Sequence, residues 1–175
     1  MTLGTVIDDP TILAAILASL TPTDVNVVVT LGPQGDPDAA EVDRARVRPV
    51  GFVPLHQLLD GIGLVVSAGG AGTVLGTLSV GLPMVLLPLV ADQPRNAARA
   101  AAVGAATVVD SPDEVGGAVQ KVLGDPSYRA AAAAVAGQTA RMTSADDVLR
   151  LLLGRVSRAR QSTGFATEVG AAPSA

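Results

Sequence analysis

Cysteine and tryptophan are absent from this chain of 175 residues, and histidine occurs once, at His56. Without cysteine there is no disulfide framework, and one histidine cannot build a zinc, iron–sulfur or other soft-metal site, so no metal ligands are expected. Aromatic residues make up only 2% of the sequence, as two Phe and one Tyr, which leaves no stacking platform for bases. The formal net charge of −4 supplies no basic field, so nucleic acid is not an expected partner. No charged residue occurs from Gly61 to Ala91. Seven glycines and two prolines interrupt that run, which therefore reads as two short apolar strands around one helix and not as a membrane span. The first ten residues lack the basic region and long apolar core of a signal peptide, and the cytoplasm is the expected compartment.

What remains is an aliphatic chain. Hydrophobic residues reach 49% with almost no aromatics, so the core must be built from Val, Leu, Ile and Ala, as where strands are buried on both faces by helices. The length suits one domain with a tail. Pro10 with Ile12, Leu13, Ile16, Leu17 and Leu20 marks a helix, and Val25–Thr30 a strand. Val47–Phe52 reads as a strand that Pro49 confines to an edge, and Pro54 precedes a short helix at Leu55–Leu59. Further strands are expected at Leu64–Ser67, Met84–Leu87 and Ala106–Val109. Between them lie a helix from Thr73 to Gly81 and one capped by Asp92 and ending before Gly104. A capping box at Ser111–Glu114, Asp125-Pro126 and Ser144–Asp147 start the last helices, the final one ending near Gly154. The alternation predicts an α/β fold, a Rossmann-like parallel sheet flanked by helices with its ligand site at the carboxyl ends of the strands. Residues 1–153 form the expected domain, with most of its first strand missing before Gly4-Thr5, and 154–175 a disordered tail.

The stretch Leu64–Thr73 organises the site: a buried strand, three glycines within four positions (Gly69, Gly70, Gly72), then a helix start. Such a turn lets a group approach the backbone closely, and free N–H groups at the helix start favour an anion, most naturally a phosphate. Packing alone can also make a strand-to-helix turn glycine-rich. A dinucleotide-binding Rossmann domain is one alternative, but Leu75 stands where its third glycine belongs and Asp92 does not end a strand. There is no Gly-Lys-Ser/Thr phosphate loop, and Ser67 is not flanked as Gly-x-Ser-x-Gly. His56, beside Pro54, reads as a partly exposed residue more readily than as a base. Asp92, Gln93 and Asn96 gather a carboxylate and two amides at one helix start, suited either to capping or to holding sugar hydroxyls.

Phe52-Val-Pro-Leu-His-Gln-Leu-Leu59, Gly69-Gly-Ala-Gly-Thr73, Gly81-Leu-Pro83 and Leu87-Pro-Leu-Val-Ala-Asp-Gln93 with Asn96 together resemble the C-terminal, donor-binding half of inverting nucleotide-sugar glycosyltransferases of the two-domain GT-B type. The flavour is that of the bacterial enzymes that glycosylate macrolides and other natural products, and the resemblance covers about Thr2–Leu153. It implies that Phe52 and Val53 flank the nucleobase, that Gly69, Gly70, Ala71, Gly72 and Thr73 hold the diphosphate, that Asp92 and Gln93, with Asn96, bind the sugar, and that Thr5 approaches the donor. The implied donor is a UDP- or dTDP-linked sugar, with no separate cofactor. The family's His before the paired glycines is Ala68 here, and a charge-assisted hydrogen bond of that kind is worth about 1.5–3 kcal/mol, or roughly ten- to hundredfold in affinity. The family's other half, with the acceptor pocket and general base, is not in these residues, so no catalytic residue is assigned. Two readings follow: a donor-binding domain that works with an acceptor half from elsewhere and is inactive alone, or a non-catalytic truncated paralogue serving as a binding module.

Overall fold

A computed structural model of the chain describes residues 1–3, 9–32, 35–38, 40 and 42–162, with side chains through Arg158. The described residues form five strands: β1 (Val27–Thr30), β2 (Val47–Val50), β3 (Val65–Ser67), β4 (Met84–Leu86) and β5 (Ala106–Val108). Six helices accompany them: α1 (Pro10–Leu20), α2 (Ala71–Ser79), α3 (Gln93–Ala102), α4 (Val115–Gly124), α5 (Pro126–Thr139) and α6 (Ala145–Ser162). Short 3₁₀ turns lie at Leu55–Gln57 and Pro112–Glu114. All strand pairs are parallel: β1 with β2, β3 with β4, β4 with β5. Thr2 forms a parallel bridge to Thr30 on one side and Ser67 on the other, which joins the two groups in the order β2-β1-Thr2-β3-β4-β5.

Strand alternation assigns the core to two faces. Val65, Met84, Leu86 and Ala106 enter one apolar cluster with Val74 and Leu78 of α2, Ala97 and Ala100 of α3, and Ala132 of α5. Val66 and Val85 enter the other with Ile16 and Leu20 of α1 and Val115, Val119 and Val122 of α4. β3 and β4 are therefore buried on both sides, as the unbroken apolar runs predict. β2 is the sheet edge. Val27 N and Leu31 N donate to the Arg46 and Val50 carbonyls, so the even-numbered residues of this segment face β1. Pro49 consequently turns its missing donor toward the free edge, the only side where that costs no ladder bond.

The α1–α4 contact explains one glycine. A Cβ on Gly116 would lie 2.0 Å from the Ser19 carbonyl oxygen, and Gly116 N donates to Ser19 Oγ at 3.2 Å. Asp125 caps α5 by accepting from Ser127 N at 2.9 Å, and Asp9 caps α1 by accepting from Thr11 N at 2.9 Å. The Ser127 side chain and backbone N–H hold the Asp125 carboxyl below the ordinary carboxylate range, and those of Thr11 do the same for Asp9.

Several boundaries differ from the sequence reading. α2 begins at Ala71, two residues before Thr73, and Val80 lies just past its end, exposed. The Leu55–Leu59 helix is only a 3₁₀ turn. At Ser111 the capping box does not close: Glu114 Oε2 accepts from Asp110 N at 3.2 Å, while the Ser111 hydroxyl donates to Asp113 at 3.4 Å. The described residues fall into two units, Met1–Ala140 and one that begins at Arg141. In the second, α6 starts at Ala145 with Ser144 just before it as the expected cap, Asp147 N donating to Ser144 Oγ at 3.1 Å. It runs through Gly154 to Ser162 because Arg and Leu flank the glycine, and an interior glycine costs only about 1 kcal/mol against Ala. Ser157 Oγ and Arg158 Nε donate back to the Leu153 and Gly154 carbonyls across that point. Residues 163–175 of the expected tail lie outside the described residues. No described helix is long and apolar enough to cross a membrane.

Gly116→Ala must push α1 off α4 and is expected to lower unfolding free energy by about 1–3 kcal/mol, as overpacking does. Gly117→Ala on the same helix has nothing within 4 Å of the new methyl and is expected to raise it by roughly 0.5–1 kcal/mol. Denaturant titration of both variants against the parent checks the pair. Because the Asp125 pKa is depressed on folding, its contribution to stability is present above the ordinary carboxylate range and lost as pH falls through the folded value. Asp125→Ala should therefore lower the melting temperature near neutral pH, with the difference from the parent shrinking in acid.

Candidate donor site at the carboxyl edge of the sheet

Because every strand is parallel, every loop that follows a strand leaves on the same edge of the sheet. Phe52 and Val53 follow β2, Gly69 and Gly70 follow β3, and Leu87–Asp92 follow β4. Gly69 has φ +86, the left-handed region, and a Cβ there would sit 3.3 Å from the Gln93 carbonyl oxygen. Both the backbone conformation and the approach of α3 require glycine at that position. Gly70 and Gly72 are different, since a Cβ on either would meet nothing within 4 Å. Protein packing does not demand them; what their lack of a side chain leaves is open room beside the helix start.

That helix start is unsatisfied. Gly70 stands at the N-cap of α2 with no side-chain cap, and the first bond into the turn is Val74 N to Gly70 O at 3.0 Å. The N–H groups of Ala71, Gly72 and Thr73 therefore lack an intrahelical acceptor. Thr73 is half-buried in this first turn, and no described residue engages its hydroxyl. Ser67, rejected above as a nucleophile, instead accepts from Gly69 N at 3.2 Å and sets the turn.

One amide joins the two clusters. Asn96 Nδ2 donates to the Gly69 carbonyl at 3.1 Å and to Asp92 Oδ2 at 2.9 Å. Asp92 occupies the N-cap position of α3 yet makes no capping bond, so the capping alternative is not what this carboxylate does; it is exposed and turned to Asn96. Gln93 is only 7% exposed, and its Oε1 accepts from both Leu89 N and Val90 N at 2.8 Å. Its amide nitrogen, with no partner among the described residues, is the part left for a ligand. Between these bonds Ala91 has φ 56, the only described non-glycine residue with positive φ, at a cost of order 1–3 kcal/mol. The locked loop holds that strain and presents Asp92.

The structure thus brings together Gly69, Gly70, Ala71, Gly72, Thr73, Asp92, Gln93 and Asn96. Phe52 is 66% exposed on the same edge, beside half-buried Val53, and no bond ties either to the turn. Thr5 lies outside the described residues. His56 is exposed in its 3₁₀ turn and makes no hydrogen bond among the described residues. Ala68 is a buried methyl at 2% exposure. Sequence reasoning missed two parts of the site. Ser67 had a signal, a hydroxyl two residues before the first glycine; the strained Ala91 had none, because alanine gives no warning of positive φ.

The model of a family described as erythromycin biosynthesis protein CIII-like, C-terminal domain, matches residues 14–153. The chain is 42% identical over 108 residues to vancomycin aglycone glucosyltransferase of Amycolatopsis orientalis, covering 59% of this chain and 26% of that protein. It is 33% identical over 122 residues to 3-alpha-mycarosylerythronolide B desosaminyl transferase of Saccharopolyspora erythraea, covering 67% and 29%. Among solved structures, glycosyltransferase VinC in complex with dTDP superposes with a TM-score of 0.75 at 27% identity, over 90% of this chain and 41% of that one. Spinosyn rhamnosyltransferase SpnG complexed with thymidine diphosphate gives 0.74 at 27%, over 82% and 40%. The chain thus spans under a third of these curated relatives and about two fifths of these solved chains. An α/β domain with its parallel sheet, uncapped glycine turn and family match of this extent belongs to the erythromycin biosynthesis protein CIII-like C-terminal domains, the C-terminal domains of GT-B glycosyltransferases.

Proposed function

We propose that this domain binds the donor of an inverting glycosyltransferase, a nucleoside-diphosphate sugar, and that a small-molecule acceptor is presented by an acceptor-binding half outside these residues. The observation that carries the reading is the uncapped N-terminus of α2 facing open room at Gly70 and Gly72, tied through Asn96 to the Asp92 carboxylate. A diphosphate seated there accepts from the N–H groups of Ala71, Gly72 and Thr73, each charge-assisted bond being worth about 1.5–3 kcal/mol. The sugar then lies toward Asp92, which accepts from its hydroxyls while Gln93 Nε2 donates, and the base lies toward Phe52 and Val53. Thr5, which the family resemblance also assigns to the donor, completes the proposed set. The thymidine diphosphate complexes of VinC and SpnG support a nucleoside diphosphate as the ligand class.

In transfer, the acceptor oxygen forms a bond to the anomeric carbon as the bond from that carbon to the diphosphate breaks, with inversion. The acceptor's proton passes to a base in the acceptor-binding half. This domain's own part is the leaving group: negative charge grows on the diphosphate as the bond breaks, and N–H donors already aimed at it need no reorganisation. Ala68 favours a second reading, a binding module without transfer, because it offers the diphosphate a buried methyl in place of a cation.

Calorimetric titration of UDP, dTDP and their glucose conjugates separates the parts. Thr73→Ala is expected to weaken the free nucleoside diphosphates roughly tenfold. Asp92→Ala should leave the free diphosphates unchanged and weaken the sugar conjugates. No saturable binding by the parent at millimolar concentration overturns the donor reading and favours the module.

Gln93 is tested by two replacements. Gln93→Glu keeps an oxygen for Leu89 N and Val90 N, so it should melt near the parent while losing affinity for the sugar conjugate. Gln93→Leu strands both N–H groups and should cost about 1–3 kcal/mol for each one left buried and unpaired. Ala68→His should tighten dTDP binding roughly tenfold per folded molecule. Because Ala68 is buried, the same variant should also lose about 1–3 kcal/mol of stability to overpacking.

A further inference from the structure

Arg95 carries its charge at the wrong end of a helix. It is the third residue of α3 and is exposed, and the open N–H groups of a helix start repel a cation. Elsewhere the described residues follow the dipole: α6 opens with Asp146 and Asp147, α4 closes with Lys121, and α3 itself closes with Arg99. Arg129, early in α5, has an outlet, donating to the Gly63 carbonyl at 3.5 Å. Arg95 has none, since it makes no hydrogen bond or ion pair among the described residues. Asp92 stands three residues back, the spacing of an i,i+3 ion pair, yet its carboxylate accepts from Asn96 Nδ2 at 2.9 Å. The acid takes a neutral amide and the guanidinium is left over.

The order of groups around α3 says what that cation meets. The glycine turn lies against Gln93 and Ala97, whose atoms a Cβ on Gly69 would touch. At about 100° per residue, Asn96 lies roughly 60° round the helix from Gln93, Asp92 roughly 100° in the same direction and Arg95 roughly 160°. Helical side chains lean toward the N-terminus, so these lean to the carboxyl edge of the sheet, where α3 begins. A ligand with its diphosphate at the start of α2 and its hydroxyls at Asp92 therefore reaches Arg95 last. We propose that Arg95 is a specificity-determining residue that selects a donor whose sugar is a uronic acid, by binding the sugar carboxylate; this rests on the donor-binding reading above. A uronate carries its carboxylate on C5, outside the ring, and leaves its ring hydroxyls for Asp92. The planar carboxylate accepts two parallel N–H bonds from one guanidinium, whereas a neutral hexose offers a single hydroxyl there. A protonated amino sugar is repelled by the same group.

The test is calorimetric titration of the 175-residue chain with UDP, UDP-glucose and UDP-glucuronate. UDP-glucuronate is expected to bind roughly tenfold tighter than UDP-glucose. Arg95→Gln should bring the two sugars to equal affinity while leaving UDP and UDP-glucose unchanged. Arg99→Gln removes the same charge one turn further along and should keep the preference. Without any nucleotide, Arg95→Gln should melt at or above the parent, because it removes a cation that the helix start repels. A lower melting temperature overturns the inference by showing that Arg95 serves the fold. So does a uronate preference that survives Arg95→Gln, or one lost equally in Arg99→Gln. UDP binding with no preference between the sugars overturns the inference and leaves the donor reading standing. No binding of any of the three at millimolar concentration overturns the donor reading and this inference with it.

Discussion

The side-chain amide of Asn96 is shared by the carbonyl of Gly69, at the start of the glycine turn, and the carboxylate that opens α3, and the geometry of the candidate site depends on it. The two elements come from different βα units, and each brings a problem the other solves. Gly69 in a left-handed conformation leaves its carbonyl pointing away from the sheet ladder, where it needs a donor. Asp92 at a helix start would ordinarily cap its own helix. Asn96, one turn into α3, donates to both, which frees the α3 N-terminus from its usual cap and holds the carboxylate at the edge where the open N–H groups of α2 end. The approach is close enough that no side chain fits at Gly69.

Everything behind that edge serves to hold two helix starts level. β3 and β4 are buried on both faces and paired in register from Val65–Met84 to Ser67–Leu86, so the loops after them leave at the same height. Small residues set the distances: Ala97 and Ala100 let α3 lie close on the sheet, and Gly116 lets α4 touch α1. A core of aliphatic and small side chains with almost no aromatics keeps these separations short, and short separations are what let one amide span two loops. The strained backbone at Ala91 is tolerated for the same reason, being pinned on both sides by Gln93 Oε1 and the α3 helix.

The sequence by itself determined the α/β class, the order of strands and helices, the edge position of β2 from Pro49, and the two clusters at Gly69–Thr73 and Asp92–Asn96. Those are local or periodic signals: alternation of apolar runs, glycine where φ is positive, proline where a donor is not needed. Only the tertiary structure decided that Asp92 does not cap its helix, that Gln93 spends its oxygen on Leu89 and Val90, that Ala91 is strained, and that Ser67 sets the turn. Each of these is one of several pairings the same few residues could make: the Gln93 and Ser67 bonds join neighbours within one loop, and only Asn96, donating to the Gly69 carbonyl, reaches another βα unit. In α6 the reason is local, since Gly154 reads as a stop but the flanking leucines and arginines carry the helix to Ser162. Local chemistry names the groups that can pair, and the folded geometry settles which of them do.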